Sequence, residues 1–243
     1  MAAMTPLLTT RGLCRNFGGL KAVDNVDFAV VKGEIRAIIG PNGAGKTTFV
    51  SLLCGRTTAS DGTILFNGED VTRLPAHRRV QRGMAYTFQI TNVFHHKTAE
   101  DNVRIAVESL VRREEHRLLD REAATFEALD AVGLASEARV PAGQLAYGHQ
   151  RLLEIAMGLA LRPKLLILDE PTQGLSDADI ERFEILVRQI AGTATVLLIE
   201  HNMPVVMSLA HRITVLESGR VLAEGTPDAI RDNAQVQSAY LGM

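Results

Sequence analysis

Apolar and polar positions change rhythm three times along the chain. From Leu7 to Phe66 the apolar residues come in short runs, broken by Lys32-Gly33, Asp61-Gly62 and Asn67-Gly68. That texture predicts strands and turns. Val23-Asn25-Asp27 and Val26-Phe28-Val30 alternate loosely, as on a half-buried strand. Ile35-Arg36-Ala37-Ile38-Ile39 is a compact apolar run that stops at Gly40, and Thr47 to Leu53 then reads as a helix. From Ala99 to Leu134 the period lengthens. Val103, Ala106, Val107, Leu110 and Val111 share one helical face, and Phe126, Leu129 and Val132 suggest a second helix. The run Arg112-Arg113-Glu114-Glu115-His116-Arg117 mixes its signs and reads as a solvated helix face.

After Pro141 short strands and helices alternate. Leu152 to Leu161 is an apolar helix, Lys164 to Leu168 a strand, and Asp177 to Ile190 a helix whose Ile180, Phe183, Leu186, Val187 and Ile190 face one way. Thr195 to Ile199 and Ile213 to Leu216 are strands, and Ser218-Gly219 turns into Val221-Leu222-Ala223. Thr226-Pro227 is a helix start, a capping hydroxyl followed by proline in the first turn. The pattern is that of one α/β domain, residues 1–243, carrying an inserted helical lobe over residues 91–160.

Composition narrows the function classes. Of 243 residues, 46% are hydrophobic and 22% charged, the balance of a globular chain. A net charge of −2 supplies no electrostatic footprint for nucleic acid, so no nucleic-acid partner is expected. Cys14 and Cys54 stand far apart, as isolated and partly buried thiols rather than a metal or redox pair. The N-terminus has no basic stretch leading into an apolar run, and no segment approaches the roughly 18 apolar residues of a membrane span. A soluble chain is expected, with any membrane role supplied through a partner.

Two segments carry chemistry. Gly40-Pro41-Asn42-Gly43-Ala44-Gly45-Lys46-Thr47 matches the phosphate-loop pattern G-x-x-x-x-G-K-[ST], with a strand before it and a helix after it. Glycines let backbone N–H groups close around phosphate, and the helix N-terminus favours an anion. Lys46 brings a charge to the β- and γ-phosphates, the Thr47 hydroxyl is a magnesium ligand, and Thr48 reaches the α-phosphate. Further on, Leu165-Leu166-Ile167-Leu168-Asp169-Glu170 is a buried-strand run ending in two carboxylates. Asp169 suits magnesium held through water, and Glu170 suits a general base that polarises the attacking water.

These motifs alone specify a nucleotide-hydrolysing P-loop enzyme. The segment Leu145-Ala146-Tyr147-Gly148-His149-Gln150-Arg151 resembles the signature loop of ABC ATPases, L-S-G-G-Q-x-x-R. Phe17 sits where that family stacks an aromatic ring on adenine. Gln89, in Thr87-Phe88-Gln89, sits where a glutamine joins core to lobe and reaches the metal. Gly174-Leu175-Ser176 lies at the D-loop, and His201 at the switch histidine. Alone, Phe17 would be a core aromatic, Gln89 a surface amide and His201 a structural histidine; their order along the chain is what the resemblance rests on. Phe17-Gly18-Gly19-Leu20-Lys21-Ala22-Val23, the signature segment and the Tyr240-Leu241-Gly242 tail resemble the ATP-binding subunits of branched-chain amino acid, urea and amide importers.

The resemblance implies a P-loop ABC ATPase core with an N-terminal antiparallel β subdomain and an inserted α-helical lobe. It implies ATP and Mg²⁺ as ligands, and Glu170, His201 and Gln89 as catalytic residues. Ala146, Tyr147, Gly148 and His149 would meet the ATP of a second cassette. The implied partners are that cassette, integral membrane permease subunits and, through the permease, an extracytoplasmic solute-binding protein. The implied location is the cytoplasmic face of the inner membrane. Soluble cassette ATPases of iron–sulfur assembly and of lipid or polysaccharide export share the motifs and remain an alternative. Among the departures from the pattern, His149 replaces glutamine, Ala146 lacks a hydroxyl, and Ser176 stands where many cassettes carry aspartate.

Overall fold

A computed structural model of the protein describes residues 6–87, 92–112 and 116–241. The strands are β1 (Pro6–Phe17), β2 (Leu20–Val31), β3 (Ile35–Ile39), β4 (Asp61–Phe66), β5 (Glu69–Asp70), β6 (Met84–Tyr86), β7 (Leu165–Asp169), β8 (Thr195–Ile199), β9 (Arg212–Glu217) and β10 (Arg220–Gly225). The helices are α1 (Lys46–Leu53), α2 (Ala76–Gln81), α3 (Ala99–Val111), α4 (Arg121–Ala131), α5 (Tyr147–Ala160), α6 (Asp177–Ala191), α7 (Met203–Leu209), α8 (Pro227–Arg231) and α9 (Ala234–Leu241).

The strands form two sheets. One is antiparallel, in the order β2-β1-β4-β5; the other runs β10-β9-β3-β8-β7-β6. In the second, β3 pairs in parallel with β8 and β9, and β7 pairs in parallel with β8 and β6. Every residue of β3, β7 and β8 is buried. A sheet covered on both faces has no solvent side, which is why these strands read as unbroken apolar runs. Their side chains still alternate between two cores. Leu165, Ile167, Leu197 and Ile199 pack with Phe49, Val50, Leu52 and Leu53 of α1 and with the antiparallel sheet. Leu166, Leu168, Val196 and Leu198 pack with Leu153 of α5 and with Phe183 and Val187 of α6. Each such leucine or phenylalanine contributes about 1.5–3 kcal/mol by leaving water.

In β2 the buried residues are Val23, then Val26, Phe28 and Val30. The alternation slips because Asn25 takes a left-handed conformation, φ 53°, at an irregularity in the pairing with β1.

Helices α3, α4 and α5 pack on one another. Thr98 caps α3 by accepting from the Asp101 amide, and Asp120 caps α4 by accepting from Glu122 and Ala123. On α3 the predicted face is the buried one. On α4 it is so only in part: Leu129 and Val132 are buried, but Phe126 is 58% exposed, and the rest of the buried face is Ala124, Thr125 and Ala128. Small residues let α4 approach its neighbours, and that face turns the large ring outward. The charged run beginning at Arg112 does not continue a helix at its start, because α3 ends at Val111; residues 113–115 lie outside the described set. Cys14 and Cys54 are free thiols, half-buried and buried. Among the described residues no helix is long and apolar enough to cross a membrane.

Candidate functional site

Strands β3, β8 and β7 are adjacent, parallel and level at their carboxyl ends, where Ile38 and Asp169 both pair with Ile199. The glycine loop follows β3, His201 follows β8 and Glu170 follows β7. The topology thus gathers at the carboxyl end of the sheet three segments far apart in sequence. Ligands bind in this position in open α/β sheets.

The loop between β3 and α1 is shaped for close approach. Gly40 has φ 154° and Gly45 φ 98°, and a Cβ at either would lie 2.2 Å from the Leu216 carbonyl oxygen or 2.3 Å from that of Ala22. Asn42, Gly43 and Thr47 are exposed, Pro41 and Thr48 half-buried, and Ala44 packs into the core. Gly45 is the N-cap of α1; no side chain caps that end and no acidic residue lies in its first turn. Lys46 folds back along the loop and donates to the carbonyls of Gly40 at 2.5 Å and Pro41 at 3.1 Å. Burial holds its amine below the ordinary lysine value, while the Glu170 and Asp169 carboxylates pull it upward.

Asp169 is buried at the end of β7, and its Oδ2 accepts from the Tyr86 hydroxyl at 2.8 Å. Burial raises its carboxyl above the ordinary aspartate value, with the Tyr86 hydrogen bond opposing and the charge of Glu170 reinforcing the rise. Burial first and Asp169 second drive the Tyr86 phenol strongly upward, so it stays a donor. Glu170 leaves the strand in a left-handed conformation, φ 48°, with its amide bonded to the Ile199 carbonyl at 2.8 Å. Its Oε1 lies 3.9 Å from His201 Nδ1, and the histidine is 65% exposed on its side chain. Glu200, buried beside them, accepts from Thr172 and from the amides of His201 and Asn202.

These residues fit a magnesium nucleotide. The uncapped turn of α1 and Lys46 present donors and positive charge for phosphate, and the Thr47 hydroxyl and Asp169 offer the hard oxygen ligands magnesium takes. Phe17 ends β1 with its ring 47% exposed and the Arg15 guanidinium stacked 4.4 Å from its centroid. Arg15 is in turn held by the Thr58 carbonyl at 2.9 Å. Gln89 lies outside the described residues.

The Leu145–Arg151 segment makes its contacts elsewhere. Ala146 is the N-cap of α5, and Ala146 and Tyr147 are exposed. A Cβ on Gly148 would lie 3.0 Å from Leu175, and one on Gly174 would meet the Tyr147 ring at 2.7 Å. His149 Nδ1 is 2.8 Å from Glu137 Oε2. Ser176 caps α6, its hydroxyl donating to Asp179 at 2.6 Å and holding that carboxyl below its ordinary range.

Sequence reasoning missed Tyr86, Arg15, Glu137 and Glu200. Glu200 alone had a readable signal, an unbroken apolar strand ending in a carboxylate, just as β7 ends at Asp169-Glu170. The others depend on contacts between distant segments.

Known proteins resemble this chain over nearly its whole length. The ABC transporter family model matches residues 23–173, and a model described as branched-chain amino acid ATP-binding cassette transporter matches residues 220–242. The high-affinity branched-chain amino acid transport ATP-binding protein BraF of Pseudomonas aeruginosa is 40% identical over 98% of each chain. Its counterpart LivG of Escherichia coli K12 is 39% identical, again over 98% of each. A crystal structure of a nucleotide-free ATP-binding cassette from an ABC transporter superposes with a TM-score of 0.87 at 27% identity, covering 98% of this chain and 100% of that one. A cassette in an ADP conformation matches with the same values. The chain belongs to the ABC transporter family, as one of its ATP-hydrolysing cassettes.

Proposed function

We propose that this cassette powers import of branched-chain amino acids or closely related small polar solutes, working at the cytoplasmic face of the inner membrane. Relatives at about 40% identity over nearly the whole chain support the solute class. The observation that carries the catalytic reading is the level carboxyl ends of β3, β8 and β7, which set the Lys46 loop, His201 and the Asp169-Glu170 pair side by side.

In this reading the backbone of Gly40–Thr48 and the Lys46 ammonium grip the triphosphate, and Phe17 stacks on adenine. Thr47, Asp169 and Gln89 would hold magnesium, which when bound would supply positive charge to the β- and γ-phosphates. Glu170 takes a proton from the attacking water, and His201 orients toward the γ-phosphate. Ala146, Tyr147, Gly148 and His149 meet the nucleotide of a second cassette, so ATP favours the closed pair by binding it better than the open one. Residues 91–160 act as the inserted lobe of a single 1–243 domain. Together with Gln89 they pass closure to the permease subunits, which receive solute from an extracytoplasmic binding protein.

The test is Glu170→Gln in the complex reconstituted with its permease. ATP affinity is expected to stay within about threefold while turnover falls about 10²–10⁴-fold. Normal turnover in that variant removes Glu170 as base. Stimulation of the unsubstituted complex by leucine, isoleucine or valine supports the branched-chain reading, and indifference to all three contradicts it and leaves the related polar solutes to be assayed in the same way.

A further inference from the structure

We propose that Glu200 is a positioning residue for hydrolysis: its buried carboxylate fixes His201 relative to Glu170 by tying together the two segments that carry them. The proposal rests on the reading of Glu170 and His201 given above.

Glu200 follows β8 and is 1% exposed. Its Oε1 accepts from the Thr172 amide at 2.9 Å and the Thr172 hydroxyl at 2.5 Å. Its Oε2 accepts from the amides of His201 at 2.9 Å and Asn202 at 3.1 Å. One oxygen therefore serves the segment just past Glu170, and the other serves the segment of His201. The cationic candidate facing it is His201 Nδ1, 4.0 Å from Oε2 and on an exposed ring. A carboxylate this deeply buried is retained only where donors replace its water.

The choice of acid is informative. Four donors converge on this side chain, and only a carboxylate accepts at both ends. Glutamine has the same shape, yet its NH₂ would meet a backbone amide head on whichever way it turned, Thr172 on one side or His201 and Asn202 on the other. The His201 ring stands 3.9 Å from Glu170, a separation at which displacement by about 1 Å can cost on the order of 10² in rate. These four bonds all stay within residues 172–202 and none reaches the glycine loop, so nucleotide binding has no direct share in the brace.

The experiment measures steady-state ATP hydrolysis and thermal melting of the full-length chain as Glu200→Gln, Thr172→Val and Glu170→Gln. Expected for Glu200→Gln is a fall in kcat of at least about tenfold, with KM for ATP within about threefold. Thr172→Val removes one of the four donors and is expected to lower kcat by a smaller factor, again at unchanged KM. A merely structural role would instead lower melting temperature and leave kcat per folded molecule unchanged. That result overturns the proposal, as does kcat within threefold of the parent in Glu200→Gln. If Glu200→Gln does not fold, Thr172→Val decides, and an unchanged kcat there is equally fatal. Glu170→Gln separates the two layers. If it hydrolyses normally, the reading of the base falls and the brace falls with it. If it is silent while Glu200→Gln is active, only the brace is wrong.

Discussion

The two ends of α1 are built on opposite plans. At the C-terminal end the chain satisfies itself. Arg79, 1% exposed, donates to the carbonyls of Leu52 and Leu53 at 2.6 and 2.7 Å, and to those of Thr72 and Leu74 at 2.9 Å each. A guanidinium there meets the negative end of the helix and supplies the donors its last carbonyls lack. Burial lowers Arg79 to about 10, so it remains charged at neutral pH. At the N-terminal end nothing of the kind happens. The first turn has no side-chain cap, and Lys46 is half-buried against loop carbonyls with its amine depressed. The same eight-residue helix is thus finished at one end and left open at the other. Its open end follows β3, two strands along the sheet from Asp169 at the end of β7 and Glu170 after it.

The contrast predicts which substitutions cost fold and which cost function. Arg79→Ala should be the most damaging to stability, by about 3–5 kcal/mol, since up to four carbonyls lose their donor. Denaturant unfolding would register this, and whatever fraction stays folded should keep its ATP affinity. Equal stability would show that the C-terminal end is not held as described. Gly45→Ala comes next, at about 1–3 kcal/mol, because φ 98° disfavours a side chain and the new Cβ would press on the Ala22 carbonyl. Here ATP binding should fall along with stability, unlike in Arg79→Ala.

Asp169→Asn should have the smallest effect on the nucleotide-free fold, and with the opposite sign. Burial raises the Asp169 carboxyl above its ordinary 3.8, so the fold prefers the protonated form. Its contribution is present below that ordinary value and is lost as pH rises through the raised one. At neutral pH the ionised group is a burden, and the asparagine variant should melt slightly higher, within about 1 kcal/mol, while losing hydrolysis. Melting curves of both proteins at pH 7 and pH 4 should converge toward the acid end. A gap that widens on acidification would contradict the assignment.

Local patterns made much of this legible. The run Ile35–Ile39, the glycine loop and the start of α1 are consecutive in sequence, as are Leu165–Asp169 and Glu170. Period and turn residues suffice to read such segments, and family motifs order the rest. What stayed hidden was made by packing across distance. Arg79 looks like one of several basic residues near residue 80 until the carbonyls of α1 surround it. Phe126 shares a helical spacing with Leu129, but the face of α4 that packs inward is the one carrying Ala124, Thr125, Ala128 and Leu129. Tyr86 ends a three-residue strand, and only its pairing with β7 sets it against Asp169. The antiparallel sheet was expected, yet its order, with β4 beside β1, comes from pairing between distant strands.

Calorimetric titration of magnesium ATP into the parent chain and into Lys46→Ala tests the open end of α1 most directly. The account predicts an affinity loss of at least about 100-fold with no loss of stability in the nucleotide-free protein, because a half-buried charge has been removed. Equal affinity in the two chains would contradict it.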